Sequence, residues 1–273
     1  MDYGKALTFI TEDERWQEKI AIGTGIILLS SILSIVLIGV LGFFIVMGYG
    51  VRLMQNVRDG APHPLPEWDQ WGDDLMRGFK LFVVALVWSL PLVLFWIPVV
   101  IGGAMADSRG AAEFIGTTLA LCGSCLMVLY GLFLAVMAPG FSIAFATDEE
   151  IRSGLQFREI WEWTVEHIGQ IIVVALVYLV ASILISLVAG IVGTLLCLVG
   201  LVVTVPLGTL VTYLFEYHLF GQLAHAYPFP AAAASYTSYA PYGSPTAQEE
   251  SPAPAEDEGA GDEPPTPPTV PNA

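Results

Sequence analysis

The feature that most constrains this chain is where its charges are missing. From Ile20 to Tyr49 and from Gly169 to Phe215 there is no Asp, Glu, Lys or Arg. About 20 helical residues cross the ~30 Å hydrocarbon core of a bilayer, and a charge left in that core is costly, so long charge-free runs read as membrane spans. Composition agrees. Only 13% of the 273 residues are charged, about half the ~25% of soluble domains. The expectation is an all-α, polytopic membrane protein of the cell membrane. Residues 1–19 lack the short apolar core and small-residue cleavage site of a signal peptide, so the first span is expected to act as an uncleaved signal. Thr11 and Glu14 have the spacing to cap the helix that enters it.

Four further apolar regions follow, at 81–106, 114–146, 169–192 and 194–224, the last two separated at Gly193. The first region, 20–57, is too long for one span and carries Ser30, Ser31, Ser34, Gly39 and Gly42 as places for a reversal. Basic residues choose between one crossing and two. With a hairpin there, Lys5, Arg15, Lys19, Arg52, Arg58, Arg77, Lys80, Arg152 and Arg158 share one side, against Arg109 on the other. A single crossing splits them six to four. The polarised solution has about six membrane segments arranged as hairpins, with both termini in the cytoplasm.

Between the second and third segments lies "PHPLPEWDQWGDDLMRGFK". Pro62, Pro64 and Pro66 disfavour helix in the residues before them. Further on, Trp71, Leu75, Phe79 and Phe82 recur at helical spacing opposite Asp73, Asp74, Arg77 and Lys80. This predicts a cytoplasmic amphipathic interfacial helix over 66–82. Indole rings favour headgroup depth, so Pro66, Glu67, Trp68, Trp71, Gly72 and Phe79 form a candidate interfacial motif. Acids here are expected to serve the helix start and its dipole. On that reading, neutralising Asp73 and Asp74 costs little and removing the tryptophans costs much. A second interfacial helix is predicted in "SGLQFREIWEWTVEHIGQ". There Ser153 and Gln156 form a capping-box pattern, and Phe157, Ile160, Trp161, Thr164 and Ile168 oppose Arg158, Glu159, Glu162 and Glu166.

Other constellations carry less chemistry. Cys122 and Cys125 have C-x-x-C spacing but sit inside a span, where small residues serve helix packing; Cys197 is a lone thiol. His63, Glu67, Asp69, Asp73 and Asp74 could be drawn as a metal cluster, yet nothing fixes the remaining ligands. No catalytic, cofactor-binding or metal residue is assigned. Glu216 and His218, near the end of the last span, form a candidate intramembrane polar site, because a carboxylate there is costly. His218, Gln222 and His225 also make a polar stripe. Residues 1–227 are the membrane domain. Residues 228–273 are rich in Pro and Ala, acidic and free of Lys and Arg, which predicts a disordered cytoplasmic tail. The net charge of −16 counts against nucleic acid as a partner.

The succession of "GYGVRLMQNVRDG", "PLPEWDQWGDDLMRGFKL", "APGFSIAFATDEEIRSGLQFREI" and "HLFGQLAHAY" resembles the domain of unknown function 4013 family. The resemblance covers residues 5–227 and is most specific at Gly48–Tyr49 and Pro66–Gly72. It implies an uncharacterised prokaryotic integral membrane protein and brings no catalytic residues with it. The expected function is non-enzymatic: contact with membrane lipids, membrane-associated assembly, or recruitment of a cytosolic or membrane protein through the interfacial helices or the tail. The alternative is a small transporter or permease component for an apolar or lipid-like substrate. Transport of polar solutes usually leaves several ionisable groups at midplane depth, and here at most one stands there.

Overall fold

In the computed structural model, which describes residues 4–106, 108–196 and 199–230, the first apolar region doubles back. Helix α1 (Lys5–Thr8) leads into α2 (Trp16–Leu33), and after a single 3-10 turn the chain returns as α3 (Gly39–Arg58). Leu37 takes a left-handed conformation at the reversal, φ 62°. The hydroxyls of Ser31 and Ser34 donate to the carbonyls of Ile27 and Ser31. Gly39 and Gly42 let α3 lie against Ser30: a Cβ on Gly39 would stand 2.0 Å from the Ser30 carbonyl oxygen. Helix α2 begins five residues later than its expected cap. Asp13 accepts the Arg15 amide (2.8 Å), while the Thr11 hydroxyl donates back to Thr8.

The remaining helices are α4 (Trp71–Ala106), α5 (Ala111–Asp148), α6 (Phe157–Glu166), α7 (Ile168–Leu195) and α8 (Leu201–Ala226), and no strand occurs among the described residues. Helices α4 and α5 have 36 and 38 residues, or about 54 and 57 Å at 1.5 Å per residue. Each is longer than the ~30 Å hydrocarbon core. The helix expected over 66–82 is not a separate element: residues 66–70 are non-helical and α4 runs unbroken from Trp71. Nothing between Phe79 and Phe82 interrupts the backbone ladder, so the amphipathic turns and the apolar ones form one rod. Helix α6 is a separate element, ending at His167 before α7 starts. Its expected cap, Ser153, instead donates to the Asp148 carboxylate and the Glu150 carbonyl. Gly193 does not break the last hairpin either. It lies inside α7 and admits α8, since a Cβ there would be 2.4 Å from Thr204 Oγ1.

Among the described residues four helices, α3, α4, α5 and α7, are long and apolar enough to cross a membrane. Their most apolar windows differ in burial: 44% for α3 but 11%, 6% and 11% for α4, α5 and α7. The core gathers at one end of the bundle, around Leu53, Leu81, Phe145, Ile160, Ile171 and Leu214. Away from it, α4 packs on α5 and α7 on α8 through glycines, as membrane helices do when they approach closely. Gly102 meets Ala120, and Gly208 meets Ala189. Leu94, Ile97, Leu129, Leu187 and Val203 are exposed on those arms.

Candidate functional site

A proline-rich segment has few amide donors of its own, so its carbonyls need partners from elsewhere. Four consecutive carbonyls find them. Those of Pro64, Leu65, Pro66 and Glu67 accept from Asn56 (2.8 Å), Lys19 (3.0 Å), Tyr49 (2.8 Å) and Arg52 (2.6 Å). Tyr49, Arg52 and Asn56 lie three and four residues apart on α3, hence on one face; Lys19 comes from α2. Trp68 closes the clamp. Its ring stacks on Tyr49 with centroids 3.9 Å apart, and its indole N–H donates to the Lys19 carbonyl (2.9 Å).

Around the clamp runs a network of ion pairs. The Lys19 side chain, 5% exposed, sits between Asp13 (2.7 Å) and Glu67 (2.9 Å). The Asp74 side chain, 1% exposed, is held by Arg52 and Arg77, both at 2.7 Å. Arg77 continues to Glu149 (2.8 Å), which also accepts from Gln55 (3.0 Å). Arg58 donates to the Ala146 carbonyl (3.0 Å). Buried charges are tolerated when each is paired and hydrogen-bonded, and here the partners come from α2, α3, α4 and the end of α5. Glu149 adopts a left-handed backbone, φ 58°, a conformation costing a non-glycine residue about 1–2 kcal/mol. Its two side-chain partners hold it there.

The expectation changes at Asp74. The buried stripe of α4 is Asp74, Gly78, Leu81, Val84 and Trp88, while Trp71, Phe79 and Phe82 face outward. The expected polar face splits: Asp74 is buried and Asp73 exposed. The expectation that neutralising both acids costs little therefore applies to exposed Asp73 alone. Asp74 is enclosed between two guanidinium groups. The candidate interfacial residues also divide: Pro66 is buried, Trp68 is half-buried in the clamp, Glu67 pairs with Lys19, and Trp71, Gly72 and Phe79 are exposed.

Glu216 and His218 do not form one site. Two residues apart on a helix, they lie about 200° apart around its axis. His218 is buried and stacked on Phe9, centroids 4.2 Å apart. Glu216 lines a cleft between α7 and α8, where the Tyr178 hydroxyl donates to its carboxylate. Cys122 and Cys125 are exposed free thiols. Cys197 and residues 231–273 of the expected tail lie outside the described residues, but Phe229, assigned to that tail, is buried beside Trp163. No group of three His, Cys, Asp or Glu side chains placed to hold a metal occurs among the described residues. The acids of the imagined cluster are engaged otherwise: Asp69 and Asp74 by Arg52, Glu67 by Lys19. Lys19, Gln55 and Glu149 carried no sequence signal for the clamp. The spacing of Tyr49, Arg52 and Asn56 was the one available hint.

The network has a pH signature. Burial opposes ionisation of Asp13, but hydrogen bonds from Lys19 and the Arg15 amide outweigh it and hold the carboxyl below its ordinary range. Glu149 behaves likewise, burial being outweighed by Arg77 and Gln55. A carboxyl whose folded value is depressed adds stability that is complete above its unfolded value and is lost as pH falls through the folded one. The contribution of Asp13 and Glu149 to thermal stability in detergent is therefore expected to be level from neutral pH to about 5 and to fall below about 4. Asp74 works in the opposite direction, because burial raises its carboxyl above the ordinary range despite its two guanidinium partners. Asp13→Asn should lower the plateau and flatten the fall. A fall on acidification that Asp13→Asn leaves unchanged would contradict this account.

Long apolar helices joined at one end by a desolvated polar network define a helical integral membrane protein. The family model described as Protein of unknown function (DUF4013) matches residues 29–198, more than half of the chain and including α3 to α7 and the proline segment, but not Asp13 or Lys19. The chain belongs to that family. No curated protein and no solved structure matches it.

Proposed function

We propose that the protein is a non-enzymatic membrane assembly platform with six membrane segments. Its clamped end faces the cytoplasm, and its helical arms lie among lipids and neighbouring membrane proteins. One observation carries this reading: the most apolar windows of α4, α5 and α7 are no more than 11% buried within the chain, while the opposite end is cross-linked by ion pairs. A helix surface so apolar and so little buried needs lipid or partner helices against it. Arg15, Lys19, Arg52, Arg58 and Arg77 lie at the clamped end and Arg109 at the opposite turn, which supports the cytoplasmic assignment. The exposed Phe157, Trp161 and Val165 of α6, beside its charged residues, suit a helix at headgroup depth.

Topology is tested with single cysteines at Glu12, His63, Ser108 and Glu159, after replacement of the native thiols. Positions 12, 63 and 159 are expected to label from the cytoplasm and 108 from outside. If 12 and 63 label from opposite sides, the α2–α3 hairpin does not cross twice. Assembly is tested with photo-cross-linkers at Leu94 and Leu187 in native membranes, where discrete protein adducts are expected. The second reading, transport of a lipid-like substrate, draws on the α7–α8 cleft. Flux in proteoliposomes that disappears in Glu216→Gln, with no protein adduct from the arms, would replace the first reading with the second.

A further inference from the structure

We infer that the cleft between α7 and α8 is a binding site for a single-chain amphiphile with a cationic ammonium head, seated at Glu216 with its tail along the two helices. The cleft has a volume of about 330 Å³. Its polar end is made by Glu216, Tyr178, Tyr213 and Thr212, and its other end by Ala189, Gly190 and Val205. From Glu216 to Val205 is eleven residues of α8, about 16 Å along the axis. Thr209, midway, donates its hydroxyl to the Val205 carbonyl of its own helix (2.9 Å), so the deeper half of the wall is effectively apolar.

The depth of Glu216 gives the cleft its direction. Gly50 of α3 packs on Tyr213, and Gly221 packs on Met54 and Val57. Helices α3 and α8 thus run side by side, and Glu216 lies level with Arg52 and its buried partner Asp74. The polar end of the cleft is at the charged layer of the protein, and the apolar end lies further along the arms. An amphiphile in a bilayer has this same polarity gradient along its length. The head must be cationic because Glu216 is the charged residue of the lining and no Lys, Arg or His joins it. A carboxylate there attracts an ammonium group and repels a phosphate or carboxylate. This inference stands apart from the assembly reading, since it concerns a ligand at one cleft and not what covers the arms.

The test uses the full chain in nanodiscs of neutral lipid, with dodecyltrimethylammonium as probe and dodecanoate and dodecylphosphocholine as tail-matched controls. The cationic probe is expected to bind saturably and at least about tenfold more tightly than either control, the scale of one charge-assisted contact. Glu216→Gln should abolish that preference. Gly190→Leu should weaken binding without lowering thermal stability, because a Cβ there meets nothing within 4 Å and the leucine fills the tail end of the cleft. Non-saturable binding, equal binding of the three probes, a preference that survives Glu216→Gln, or unchanged binding in Gly190→Leu would each overturn the assignment.

Discussion

Replacing Asp74 by Asn is expected to destabilise the protein by about 3–5 kcal/mol, the range for breaking a buried ion pair by removing one partner. The carboxylate bridges Arg52 and Arg77 at 2.7 Å each. An amide of the same shape keeps one accepting oxygen of the two and no charge, and its NH2 group faces guanidinium donors. Arg52 already has its buried Nε without a partner, so little slack remains. Asp69 and Glu149 still engage the two arginines, which places the loss towards the lower end of the range. Asp73→Asn, one residue away on an exposed turn, should change stability by no more than about 0.5 kcal/mol. Thermal unfolding of the two variants in the same detergent decides the matter: equal midpoints would mean that Asp74 is not the charge that joins α3 to α4. Because the pair is desolvated, added salt should leave the difference nearly unchanged.

Gly78→Ala and Gly48→Ala are expected to cost about 2–3 kcal/mol each, as overpacking at a rigid contact does. A Cβ on Gly78 would lie 1.8 Å from the Phe44 carbonyl oxygen, and one on Gly48 would lie 2.0 Å from that of Asp74. Both atoms are backbone and cannot step aside without moving a helix. The two glycines therefore set the separation of α3 and α4, on which the geometry of the Arg52–Asp74 pair depends. Gly72→Ala is the control. A Cβ there meets nothing within 4 Å, so the better helix former should be neutral or stabilising by up to about 1 kcal/mol. If all three alanines behave alike, close backbone approach is not what these glycines provide.

The three glycines also mark how far sequence reaches. Nothing local separates Gly72, which faces open space, from Gly78, which faces a carbonyl. The same holds for acids: Asp73 and Asp74 are neighbours with the same local rationale, yet one is exposed and the other enclosed. Periodicity along Trp71, Phe79 and Phe82 picks out an exposed aromatic face but sets Asp73 and Asp74 together on the other. It does not say which face turns inward, because in a bilayer the aromatic side has lipid as an alternative to a protein core.

What the sequence by itself determined is the class: an all-helical membrane protein, a reversal within residues 20–57, extended chain at the prolines, and membership of its family. These follow from charge-free length and from proline geometry, which act locally. Only the tertiary structure decided that α4 starts at Trp71 and runs on unbroken, that Trp68 closes a clamp, and that Glu216 and His218 part company. It alone brought Lys19, Arg52 and Glu149 into one network. Those outcomes depend on which carbonyl, ring or charge arrives from residues tens of positions away, and burial makes an unmet partner costly. A polar group on a membrane helix announces that it must be satisfied; the fold chooses what satisfies it.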